Sequence, residues 1–144
     1  MTAWRLEFVA PDETRGSVRL EVPDRAGPAR YEAVLAGPGL GPGVIVVRDD
    51  DVARPRGRLI EVRAEGLWAE VVCEVPGEHW AFGLEAFGLR YDSDVEAAAG
   101  GPGERVPVGF DLEWETPDRV TGELLVGRAR VPFDGTGTLL VEDR

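Results

Sequence analysis

"VPVGFDLEWE", residues 106–115, alternates without a break: Val106, Val108, Phe110, Leu112 and Trp114 share one side, and Gly109, Asp111, Glu113 and Glu115 share the other. A period of two marks a β-strand with one face against a core and the other toward water. The pattern recurs along the chain. Trp4, Leu6 and Phe8 alternate with Arg5 and Glu7, and beyond "PDETRG" Val18, Leu20 and Val22 alternate with Arg19 and Glu21, predicting a first hairpin. "RYEAVLAG" (30–37) reads as a third strand. After "GPGLGPG" comes "VIVVRD" (44–49), whose unbroken apolar start predicts burial on both faces. "LIEVRAEGLWAEVVCEV" (59–75) reads as two strands turning at Glu65 and Gly66, and "VTGELLVGRARVPF" with "TLLVE" brings the total to about ten.

The 19 glycines and 11 prolines cluster between these segments, where tight turns require them. One helix is expected. In "SDVE", Ser93 stands three residues before Glu96, the spacing of a capping box, so a helix over 94–99 should start at Ser93 and stop at Gly100 and Gly101. The whole of 1–144 then forms one domain: an all-β, antiparallel, lipocalin-like (calycin-type) barrel of eight to ten strands, with one short helix near 93–100. Closure removes the exposed edges that invite aggregation. A barrel of this size is either filled by side chains or wide enough for one small ligand, and both interiors remain open.

Composition narrows the chemistry. All 16 basic side chains are arginine, so Schiff-base formation, pyridoxal phosphate attachment and the P-loop lysine are excluded. A net charge of −11 argues against nucleic acid and anionic membranes as partners. The longest aliphatic run is too short to span a bilayer and "MTAWRLEF" does not resemble a signal peptide, so a cytoplasmic location is expected. One histidine and one cysteine cannot assemble a typical zinc site or an internal disulfide. No metal and no cofactor are expected. "DDD" (49–51) lacks the spaced ligands of a calcium loop and, with Arg54, Arg56 and Arg58, reads as a charged turn.

"CEVPGEHWAFGLEAFGLR" (73–90) gathers the remaining reactive side chains. His79 beside Glu78, at a turn, is a candidate proton carrier. Trp80, Phe82 and Leu84 share one side, whereas Phe87, Leu89 and Tyr91 share the other, so a β-bulge near 85–88 is expected to re-aim Glu85. Directed into an apolar cavity, Glu85 would hold its proton and donate it to an alkene, enol or carbonyl. Trp68, Trp80 and Phe82 are candidate ligand walls, joined by Glu70 and Tyr91. Asp111 and Glu113 read as a solvated face, Cys73 as an inert core thiol, and the four tryptophans as either core or pocket.

"RAEGLWAEVVCEVPGEHWAFGLEAFGLRYD", "GERVPVGFDLEWE" and "TGELLVGRARVPFDG" together resemble the N-terminal half of the hydroxyneurosporene synthase, or carotenoid hydratase, superfamily, particularly its actinobacterial members. The resemblance runs from about Val44 to Gly135. It implies a lipocalin-like barrel and a hydrophobic, terpenoid- or polyketide-like small molecule in its cavity, in some members with cofactor-free hydration, cyclisation or isomerisation. In that family an Asp-His-x-Trp-Gly-type motif and a second barrel follow the equivalent of "FDG"; here "FDGTGTLLVEDR" has neither His nor Trp. A role for that junction is therefore not carried over, and a homodimer is the expected substitute for the second barrel. Three functions follow: a cofactor-independent enzyme using Glu85 or His79, a non-catalytic carrier, or a filled barrel acting through a dimer or partner surface.

Overall fold

The computed structural model describes residues 1–55 and 60–143. Ten antiparallel strands form one sheet: β1 (Thr2–Val9), β2 (Arg15–Val22), β3 (Ala29–Ala36), β4 (Val44–Val52), β5 (Ile60–Ala64), β6 (Leu67–Val75), β7 (His79–Tyr91), β8 (Glu104–Glu115), β9 (Arg119–Val126) and β10 (Ala129–Asp143). Eight of them, in the order β4-β3-β2-β1-β10-β9-β8-β7, make a barrel-like ring. The ring closes where β4 meets the end of β7, at Val44↔Tyr91, Ile45↔Arg90 and Val46↔Leu89. β5 and β6 extend from the first part of β7. The all-β expectation holds, with one short helix among the described residues.

Two long strands change partner part-way and thereby turn the corners. β10 pairs with β9 over 129–136 and with β1 over 136–143. At Gly135 a Cβ would stand 2.3 Å from the carbonyl oxygen of Val9, so only glycine lets β1 pass so close. β7 pairs with β6 up to Ala86 and with β4 from Leu89. Between them Gly88 lies against Ile45 and Val46, where a Cβ would sit 3.1 Å from both.

Inward side chains from all ten strands join one buried cluster, including Leu6, Leu20, Tyr31, Phe82, Phe110 and Leu124. Phe8 and Phe133 meet edge to face with centroids 5.1 Å apart. The run 44–47 is buried on both sides, as its composition predicts: Ile45 and Val47 enter the core, while Val44 and Val46 pack with Ala36, Tyr91 and Ala97 in a second cluster. That second cluster lies under α1 (Asp94–Ala99), whose start is capped by Ser93 accepting from the Glu96 amide at 3.2 Å. Glu96 reciprocates one residue early, accepting from the Asp92 amide at 3.3 Å, and Gly100 ends the helix in the left-handed conformation. Among the described residues no helix is long and apolar enough to cross a membrane.

Three local expectations need correction. Asp49–Asp51 belong to β4 rather than to a turn, because pairing with β3 runs on to Val52; Arg56 and Arg58 lie outside the described residues. Cys73 is exposed, since it sits near the far end of β6 where the core has thinned. The bulge expected in β7 does not form: its register with β8 runs unshifted from His79↔Glu115 to Arg90↔Glu104.

Candidate functional site

With an unbroken register, parity assigns every side chain of β7. Trp80, Phe82, Leu84 and Ala86 face the core, and His79, Glu85, Phe87, Leu89 and Tyr91 face outward. The apolar residues after Glu85 do not mark a change of side. Both faces are apolar there for separate reasons: inward positions shrink to Ala86 and Gly88 where β4 crowds in, while outward Tyr91 is buried under α1 and Phe87 carries the Arg105 guanidinium 4.0 Å above its ring.

The candidate residues therefore separate. Phe82 is buried and Trp80, opposite both Cys73 and Trp114, packs at the edge of the core. Trp4 and Trp114 also meet this cluster, and the Trp114 indole donates to the Gly137 carbonyl at 3.1 Å. Tyr91 has a structural task, donating to the Gly101 carbonyl at 2.9 Å. His79 Nε2 lies 3.0 Å from Glu113 Oε1 on the outer surface. Six residues of strand separate His79 from Glu85, about 20 Å at ~3.3 Å per residue, so the two do not share a reaction centre.

Trp68, Glu70 and Glu85 do come together, on the outer face. Trp68 is directly opposite Glu85, and Glu70 is opposite Gly83. The absent side chain of Gly83 makes room for both neighbours: a Cβ there would stand 3.2 Å from Glu70 Cγ and 3.3 Å from the Trp68 ring. Beyond Glu85 the same transverse row continues through Gly109 on β8 to Leu125 on β9.

Trp68, Glu85, Gly109 and Leu125 border a cleft of about 480 Å³, within the size range of small-molecule sites, and Glu70 and Gly83 lie beside it. Trp68, Phe87, Pro107 and Leu125 supply apolar walls, Gly109 the low floor, and Glu85 and Asp111 the polar positions. Asp111, opposite Gly83, stands on the solvated face as its alternation predicts. A groove of similar size near the end of β1 is bordered by Glu7, Arg15, Ser17 and Asp118 and has no exposed aromatic wall. Phe87, Pro107 and Leu125 escaped the sequence reading. Their one signal was the gap left by Gly109 in an otherwise acidic outer row.

Charge around the cleft is unbalanced. Arg63 engages Glu61, Arg130 engages Glu123 at 2.7 Å, and Arg105 is stacked on Phe87. Among the described residues no cation or hydrogen-bond donor pairs with the side chains of Glu70, Glu85 or Asp111. Glu85 is exposed on the outer face and is not enclosed in an apolar cavity. No protein-family model, curated protein or solved structure matches the chain.

Proposed function

We propose that this protein is a non-catalytic binding barrel that carries a hydrophobic small molecule, taken up in the outward cleft beside Trp68. The single observation behind this reading is the position of the aromatic wall and the acid: Trp68 and Glu85 face each other across an open cleft of about 480 Å³, whereas the inward positions are filled by one another. A half-buried indole next to a glycine floor offers a flat apolar surface at little conformational cost. Proton transfer lacks support, because Glu85 is solvated and His79 is occupied by Glu113 far along the strand.

Native mass spectrometry of freshly purified protein, followed by the same measurement on Trp68→Ala, tests the proposal. A co-purifying molecule lost with Trp68 supports it; one retained by Trp68→Ala but lost when core residues change would move the site into the barrel.

A second reading, assembly as a homodimer, is favoured by the edge of β10. Among the described residues this strand beyond Thr136 pairs only with β1, and Leu140 and Val141 are 47% and 45% exposed. An unpaired apolar edge is a template for another strand. Light scattering should give twice the chain mass for the native protein and the single-chain mass for Val141→Pro, which removes one amide from that edge. A native protein that scatters as a monomer at tens of micromolar would end this reading.

A further inference from the structure

We infer that the cleft selects organic cations: molecules joining an apolar or aromatic body to a quaternary ammonium, amine or guanidinium head. The inference rests on the binding reading above and names its ligand class.

Three features converge. The Trp68 ring leans over Gly83, and its backbone neighbours on that surface are Glu85 directly opposite, Glu70 two positions on, and Asp111 across Gly83. An indole face attracts a cation through its quadrupole, and carboxylates at its rim add to the same potential. Second, these carboxylates are without partners among the described residues, while Arg63 and Arg130, the guanidinium residues opposite Trp68 and Leu125, are each paired with a glutamate, Glu61 and Glu123. Glu70, Glu85 and Asp111 therefore leave an excess of negative charge on this surface, although the Arg105 guanidinium stands over the Phe87 wall. Third, the apolar walls Phe87, Pro107 and Leu125 provide for more than a bare ion, which needs no such surface. An anionic or purely neutral apolar ligand would leave the acidic rim repelled or unused.

The probes are benzyltrimethylammonium and the neutral, similarly sized 3-phenylpropan-1-ol, titrated into the full chain while the four indole N–H resonances are followed by NMR. Trp68→Phe identifies which resonance belongs to the cleft. Benzyltrimethylammonium should shift the Trp68 signal with an affinity about tenfold above that of the alcohol, equivalent to ~1.4 kcal/mol. Glu85→Gln with Asp111→Asn should bring the two probes to within about twofold, and added salt should weaken only the cation. Equal affinities for both probes at Trp68 would overturn the charge selection while leaving the cleft as a binding site. Neither probe shifting Trp68, in a protein whose other indole signals show it folded, would overturn both.

Discussion

Trp68 of β6 and Glu85 of β7 stand directly opposite each other on the outer face of the barrel, in a register that continues unshifted into β8. This pairing places an aromatic surface and a carboxylate at the entrance of one cleft. It also removes Glu85 from the interior, so its substitution should touch binding and leave the fold alone. Glu85→Gln is expected to change stability by less than about 0.5 kcal/mol, as checked by denaturant unfolding, because the side chain is exposed and unpaired.

Gly109 lies beneath the cleft for a steric reason. A Cβ there would stand 2.6 Å from the Leu84 carbonyl oxygen, so β7 and β8 must separate to admit it. Gly109→Ala should destabilise the protein by about 1–3 kcal/mol in urea unfolding and broaden the Trp68 indole resonance. A variant with native stability would show that the two strands part freely.

Phe82 belongs to the core and not to a ligand wall. It is 2% exposed, so Phe82→Ala should cost about 3–5 kcal/mol, whereas Trp68→Ala, at a half-buried outer position, should cost far less. Comparable losses from the two would contradict the assignment of faces.

Tyr31 is buried, and among the described residues its hydroxyl finds no hydrogen-bond partner. Burial pushes its pKa far above the usual phenol range. The folded state thus keeps a proton that the unfolded chain releases near pH 10, so this contribution is complete below about pH 10 and is lost as pH rises further, by ~1.4 kcal/mol per unit. Tyr31→Phe should stabilise the protein by about 1 kcal/mol at neutral pH and flatten its alkaline unfolding profile. An unchanged alkaline profile would mean that the hydroxyl is hydrated.

The Ser93 cap is a local device on the surface. Ser93→Ala should cost about 1 kcal/mol or less and appear as faster amide exchange at Ala97 and Gly100, whose N–H groups close the turns of α1. Exchange that accelerates equally in β1 would place the effect in the whole fold instead.

Local sequence pattern by itself determined most of the strands by alternation, the two-sided burial of 44–47 by its unbroken apolar run and the capped helix by the Ser93–Glu96 spacing, because each depends on neighbours within a few positions. It misread β7, where the apolar residues on both sides suggested a bulge that the unshifted register does not contain. What it left undecided was which face is inside where both are apolar, as in "EAFGLRY". Only the tertiary structure decided that, through contacts from distant segments: β4 pressing on Gly88 from within, α1 covering Tyr91 and Arg105 capping Phe87 from without. The cleft has the same origin, since Gly109 becomes its floor only when Trp68, Glu85, Gly109 and Leu125 fall in one row across β6, β7, β8 and β9, and that register is set by the four strands together rather than by the pattern of any one of them.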